Sequence, residues 1–247
     1  MKLDEIISLR QETTPLSVED RLKWAADHFP GKIIFASALG AEDQVITDLI
    51  ARLKLAIPVV TLDTGRLFNE TYTLIQKTEA RYGFRFRIQF PDRQAVESMV
   101  AEHGINLFRE NIENRKLCCK IRKIEPLRRA LSGFTGWICG LRRDQSVTRS
   151  DVNTVDWDEA NQMLKINPLF DWSESQVWEY IARHDVPYNE LHDRGYPSIG
   201  CASCTRAIKR TEDVRAGRWW WEQPEQKECG LHWVDGKPVR SKTAGNS

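Results

Sequence analysis

The stretch KIIFASALGAEDQVITDLIARLKLAIPVVTLDTGR, residues 32–66, contains two short apolar runs separated by one amphipathic run. KIIFASAL (32–39) and PVVTLDTG (58–65) are strings of buried type that end in small and polar residues, as interior strands do. DQVITDLIARLK between them repeats its apolar residues with the helical period. A strand, helix and strand in this rhythm read as a parallel pair joined by a crossover helix. Working outward, RFRIQF (85–90) and TGWICGL (135–141) are further strands, the first nearer an edge because it alternates. SVEDRLKWAADHF opens with Ser17 and Asp20 as a helix cap; NETYTLIQKTEARYG, QAVESMVAEHG, CKIRKIEPLRRALSG and SESQVWEYIARHD are also helical. The predicted class is α/β, a mostly parallel sheet with helices on both faces. No internal repeat or low-complexity linker divides the chain. After Gly217 the periodicity stops, so residues 1–217 read as one domain and 218–247 as a mobile C-terminal segment.

A net charge of +1 argues against a large polyanion, and so against nucleic acid, as partner. No apolar run approaches the roughly 20 residues a bilayer span requires, and the amino terminus lacks the apolar core of a secretory signal. The expected compartment is the cytoplasm. Local charge is more informative: Arg115, Lys116, Lys120, Arg122, Lys123, Arg128 and Arg129 fall within fifteen residues against Glu125 alone. A second basic knot, GLRRDQSVTR, carries Arg142, Arg143 and Arg149. A solvated helix face explains the first group; the two together favour a small-anion pocket.

The six cysteines are not spaced as a disulfide framework. Cys118 and Cys119 are adjacent in KLCCKIRK, Cys201 and Cys204 form GCASC, Cys139 reads as a small buried hydrophobe on a strand, and Cys229 stands alone in KECGLH. The two pairs supply four thiolates. Neighbouring ligands converge poorly on one small tetrahedral ion, whereas a four-iron cube lets each take a different iron. The pattern favours a [4Fe–4S] cluster, with zinc or unliganded thiols as the alternatives.

Ligands of open α/β sheets bind beyond the carboxyl ends of the strands. SALGAEDQ (37–44) and LDTGR (62–66) are placed there, and the first opens a helix whose N–H groups can hold an oxyanion. Neither GxGxxG nor GxxxxGK[ST] is present, which excludes the usual dinucleotide and P-loop chemistries. An SGGxDS-type loop, as tRNA-thiolating enzymes need for ATP, is also missing.

Taken together, CCKIRKIEPL, SIGCASC, ECGLH, LDTGR and GLRRDQSVTR resemble the assimilatory adenylyl-sulfate (APS) reductases, the cluster-bearing branch of the phosphoadenylyl-sulfate (PAPS) reductase family. The resemblance runs from about Ile33 to His232. It implies a Rossmann-like adenine nucleotide α-hydrolase fold and thioredoxin-dependent (or glutaredoxin-dependent) reduction of APS to sulfite and AMP through an S-sulfocysteine. PAPS reduction, or use of both nucleotides, is the alternative. By the same resemblance Cys118, Cys119, Cys201 and Cys204 bind the [4Fe–4S] cluster, Cys229 is the nucleophile, His232 accompanies it, and Lys123 lies between cluster and substrate. Substrate contacts are expected from Ser37, Gly40, Glu42 and Asp43 of the first loop and from Asp63, Thr64, Gly65 and Arg66 of the second. Arg142, Arg143, Arg215 and Arg218 complete the set. The chain departs at Arg115, where some relatives carry histidine. The oligomeric state is left open, a homo-oligomer included, and no site role is assigned to Trp219, Trp220 or Trp221.

Overall fold

In the computed structural model the described residues are 3–145, 149, 151–209 and 211–223, with the backbone of 233–234 and 237–238. In chain order the elements are α1 (Leu3–Thr13), α2 (Val18–His28), β1 (Ile33–Ser37), α3 (Ala41–Arg52), β2 (Val59–Leu62), α4 (Asn69–Tyr82), β3 (Arg87–Gln89), α5 (Arg93–His103), α6 (Ile112–Cys119), α7 (Glu125–Leu131), β4 (Gly136–Ile138), β5 (Val155–Asp158), β6 (Met163–Ile166) and α8 (Glu174–His184). β7 (Trp233–Val234) and β8 (Lys237–Pro238) pair antiparallel apart from the main sheet.

The six-stranded sheet runs β3-β2-β1-β4-β6-β5, parallel throughout except for β5 at one edge. Phe35 pairs with Val59 on one side of β1 and with Ile138 on the other. Because side chains alternate across a strand, each strand feeds two cores. Ile33, Phe35, Val59, Ile138, Leu164 and Ile166 face α2, α3, α4 and α8, while Ile34, Val60, Trp137, Cys139 and Met163 face α7. Helices therefore cover both faces, and the continuous apolar runs are those of strands buried on both sides.

Local chemistry sets the helix starts. The Ser17, Asp92, Asn111 and Ser173 side chains accept from backbone N–H groups of α2, α5, α6 and α8, satisfying donors that otherwise lack partners. The sequence reading missed the β5–β6 hairpin. Its strands carry Asp156, Asp158 and Lys165, which hide the alternation, and these polar groups are compensated in the fold. Asp158 accepts from the Trp137 indole at 3.0 Å and from Asn161 Nδ2 at 2.8 Å, and the Lys165 ammonium lies 5.1 Å from the Trp137 ring centroid.

A third cluster stands apart from the sheet. Met99, Leu107, Phe108 and Trp219 enclose Cys118, Cys119, Cys201 and Cys204, all buried. Arg218, Trp219, Trp221 and Glu222, which the sequence boundary assigns to the C-terminal segment, thus pack against the domain. Trp219 is 1% exposed, and its backbone N–H donates to the Cys204 carbonyl at 3.1 Å.

Candidate active site

The order β3-β2-β1-β4-β6 reverses direction between β1 and β4, so the loops leaving these strands diverge and open a crevice at their carboxyl ends. A cavity of about 900 Å³ occupies it, floored by Ala36, Ser37, Val60, Leu62, Trp137 and Cys139. Of the residues expected to meet a substrate, Ser37, Gly40, Glu42, Asp43, Thr64, Arg142, Arg215 and Arg218 line this cavity, as does Lys123. Asp63, Gly65, Arg66 and Arg143 do not.

The first loop is held by its own acids. Leu39 sits at φ 61, a turn that brings Gly40 to the N-cap of α3. The Asp43 carboxylate accepts from the N–H groups of Ala38 at 2.8 Å and Gly40 at 3.3 Å. Gly140 must be glycine here, since a Cβ would lie 2.5 Å from Asp43 Oδ1 and 3.0 Å from Glu42 Cβ. Burial and the neighbouring Glu42 charge push Asp43 up to about 7, against three backbone N–H donors, from Ala38, Gly40 and Gly140, that favour its ionised form. Glu42 accepts from Arg142 Nε at 2.9 Å and Nη2 at 2.8 Å, and Arg142 Nη1 donates to the Trp172 carbonyl at 3.2 Å. Glu42, Asp43 and Arg142 thereby lock the β1 and β4 loops together as the frame of the crevice.

The second loop faces the cysteines. Asp63 accepts from Gly65 N–H at 2.7 Å and from the Tyr72 hydroxyl, so it closes its own turn. Thr64 Oγ1 shares a 3.2 Å hydrogen bond with Cys201 Sγ, and its carbonyl accepts from Arg122 Nη1 at 2.7 Å. Arg66 lies 4.9 Å from the Phe108 ring centroid and donates to the Ile105 carbonyl, while its own carbonyl accepts from Ala202 N–H at 2.8 Å. Within LDTGR, Leu62 and Thr64 line the cavity, and Thr64 and Arg66 hold the 201–204 turn. Arg143 is drawn to the β5 side, 4.7 Å from the Phe170 ring and bonded to the Val152 carbonyl at 2.7 Å. Two adjacent arginines cannot point the same way on a short turn, and Arg142 takes the inward position.

Cys118 and Cys119 close α6, which passes into α7 through a wide turn at Lys120–Ile124, with Glu125 N–H donating to the Lys120 carbonyl five residues back. Pro126 explains the widening. It has no N–H for the Arg122 carbonyl, and its ring would crowd that carbonyl in a regular helix. The turn places Arg122 among the thiols and Lys123 in the cavity wall. Among the described residues no disulfide forms. Nor do three or more His, Cys, Asp or Glu groups converge as they would around one ion. The four thiols share a single buried cluster. Among the described residues, buried Arg66 Nε, Arg122 Nε and Trp219 Nε1 have no hydrogen-bond partner, leaving unmet donors beside the thiols.

Charge differentiates the thiols. Burial acts to raise Cys201, yet Lys123, the Thr64 hydroxyl, Arg218 and Arg122 outweigh it and hold the thiol below its ordinary value. Burial dominates at Cys118 and Cys204 and pushes both up. Cys201 is also a wall residue of the cavity, alongside Lys123, Arg215 and Arg218. Arg218 donates to Ser198 Oγ and the Ile199 carbonyl, each at 3.3 Å, and lies 4.8 Å from the Trp219 ring. Cys229 and His232 lie outside the described residues.

Arg149, read from the sequence only as part of the basic knot that favours an anion pocket, lines the cavity. Two further members had little or no sequence signal. Trp219 belongs to the cysteine cluster, and its only signal was a place in a tryptophan triplet beside an expected substrate arginine. His192 lines the cavity with a buried Nε2 that has no partner among the described residues, and burial lowers its pKa; nothing in its sequence setting distinguished it.

Residues 32–207 match the phosphoadenosine phosphosulfate reductase domain. The chain is 55% identical over 200 residues to the adenosine 5'-phosphosulfate reductase of Allochromatium vinosum, covering 81% of this chain and 78% of that one. It is 47% identical over 225 residues to the protein of that name from Agrobacterium fabrum, covering 91% and 86%. Among solved structures, the phosphoadenylyl-sulfate reductase of Candida auris superposes with a TM-score of 0.73 at 31% identity, over 84% of this chain and 98% of that one. Yeast FAD synthetase, at 15% identity and a TM-score of 0.55 over 84% and 70%, shares the fold.

Proposed function

The chain belongs to the phosphoadenosine phosphosulfate reductase family, and from that premise we propose that it reduces adenylyl sulfate to sulfite and AMP in cytoplasmic sulfate assimilation. The observation that carries the reading is a shared wall: Cys201 belongs at once to the buried thiol cluster and to the cavity at the strand ends, beside Lys123 and Arg218. A nucleotide in the crevice would present its anionic end to these cations. No helix among the described residues is long and apolar enough to cross a membrane.

Cys118, Cys119, Cys201 and Cys204 would hold a [4Fe–4S] cluster; buried thiols, surrounding cations and unpartnered buried donors all suit it. When bound, the cluster supplies a fixed charge beside the cavity and ties α6 to the 201–204 turn. The chain's own residues carry the reaction. Lys123, Arg149, Arg215 and Arg218 offset the charge of the phosphosulfate. The Cys229 thiolate forms a bond to the sulfur of the sulfuryl group as the bond from that sulfur to the AMP oxygen breaks. AMP leaves with the electron pair and Cys229 carries a sulfonate. A thiolate of a dithiol reductant of the thioredoxin or glutaredoxin class then attacks Cys229 Sγ, and sulfite leaves with the pair of the broken S–S bond. The reductant's second thiol resolves the mixed disulfide, leaving the reductant oxidised and Cys229 restored as a thiolate.

Mass spectrometry after mixing oxygen-free protein with APS tests this, the expected result being a sulfonate adduct on Cys229 together with iron bound to the protein. An adduct elsewhere, or none, overturns the assignment. The Candida auris relative is a phosphoadenylyl-sulfate reductase, so competition between APS and PAPS at equal concentration decides which nucleotide is preferred.

A further inference from the structure

We propose that Arg115 and Glu222 are a positioning pair that clamps the root of the C-terminal segment to the cysteine-bearing helix, so that the thiol cluster and the anchor point of Cys229 move as one unit. The inference deepens the reading of Cys229 as nucleophile and rests on it. Arg115 precedes Cys118 and Cys119 by three and four residues, which places all three on one face of α6. Its side chain is 0% exposed and that of Glu222 is 4% exposed. The two form a fork, Nε to Oε1 at 3.0 Å and Nη2 to Oε2 at 2.9 Å. The same guanidinium hydrogen-bonds Cys119 and lies 4.8 Å from the Trp219 ring centroid.

Trp219 to Glu222 is thereby pinned from two directions. Arg115 holds it to α6, while Trp219 N–H holds it to Cys204, and Glu222 N–H closes the turn on the Trp219 carbonyl at 2.8 Å. Trp219 keeps a φ of 40, a left-handed conformation that a bulky residue adopts only where its surroundings impose it. Neutralising one member of so buried a fork leaves the other charge without its counterpart, so the turn should open where the pair is broken.

The functional consequence follows from chain length. Cys229 lies seven positions after Glu222, and seven extended residues reach at most about 25 Å. A fixed Glu222 limits the reach of the Cys229 thiol to that radius, within which Arg218 of the cavity wall lies. Releasing the clamp lengthens the free tether and dilutes the thiol at the substrate. Of the cavity lining, only Arg218 and Trp219 adjoin the released turn; Lys123, Arg149 and Arg215 are left in place.

The test is Glu222→Gln, which keeps the shape and removes the charge. The expected result is a kcat lowered at least tenfold with the nucleotide KM within twofold, and trypsin cleavage after buried Arg218 accelerated at least tenfold relative to cleavage after Lys227, which lies beyond the clamp. Glu222→Asp, which keeps the charge, should fall between the two proteins in both readouts, and it carries the test alone if the glutamine variant does not fold. Wild-type cleavage after Arg218 overturns the proposal, whether or not turnover falls. The protease readout needs no substrate, so it stands apart from the sulfonate adduct: a clamp can hold even where Cys229 is not the nucleophile.

Discussion

Gly200→Ala is the sharpest perturbation of the cavity wall. Gly200 directly precedes Cys201, and its backbone is not in the left-handed region, so the substitution acts through space alone. An added Cβ would lie 2.6 Å from Arg218 Cζ and 3.1 Å from Nε, and against Nη2. The guanidinium is the mobile end of a long side chain, but Arg218 is 7% exposed and is held by Ser198, the Ile199 carbonyl and Trp219, so it cannot step aside within its own site. It must leave the cavity wall. Losing one preorganised donor to developing charge costs about 3–4 kcal/mol, or about 10²- to 10³-fold in kcat/KM. Overpacking costs the fold about 1–3 kcal/mol, a Tm lower by about 2–12 °C for a chain of this size. The assay is sulfite release with a thioredoxin-type reductant, run beside Arg218→Ala and the double variant. If Gly200→Ala acts through Arg218, the double variant loses no more than Arg218→Ala alone. A kcat/KM within threefold of wild type, or fully additive losses, would refute the reasoning.

Two further outcomes are expected. Lys123→Ala should keep the fold, since the residue lies at the surface of the cavity and not in a core, yet lose at least about 90% of turnover; a near-normal kcat/KM would remove it from the mechanism. Asp43, raised to about 7 in the folded protein from an ordinary 3.8, holds its proton where the unfolded chain has released it. Its contribution to stability is therefore complete below about pH 4 and lost as pH rises to about 7, by up to about 4 kcal/mol. Denaturant titrations should show the stability difference between wild type and Asp43→Asn falling over that interval, and a difference that stays flat with pH would sink the point.

Much of this architecture is legible residue by residue. KIIFASAL and PVVTLDTG are continuous apolar strings because β1 and β2 are covered on both faces, and the helix between them shows its period because α3 has one face in the core. Such patterns survive in one dimension because burial acts on each residue separately. The β5–β6 hairpin was illegible for the converse reason: Asp158 and Lys165 are tolerated in the sheet only because the ring and indole N–H of Trp137, distant in sequence, meet them. The gathering of the two cysteine pairs was legible from their spacing, whereas Lys123's place beside the cavity was expected only from the resemblance to the reductase family.

Direction was another matter. Arg142 and Arg143 are equivalent as letters, yet one frames the crevice with Glu42 and the other turns to Phe170. LDTGR was expected to touch substrate, yet only Leu62 and Thr64 of it line the cavity, and Thr64 and Arg66 hold the 201–204 turn. Trp219 and Glu222 read as the start of a tail, yet they are packed beside thiols a hundred positions earlier in the chain. Composition, period and spacing are local quantities, and they were sufficient for the α/β class, the strand-end crevice and the thiol set. Which face of a loop meets the cavity, and which buried charge finds its partner, depends on contacts between segments far apart in sequence, and those arise only when the sheet closes and brings the segments together.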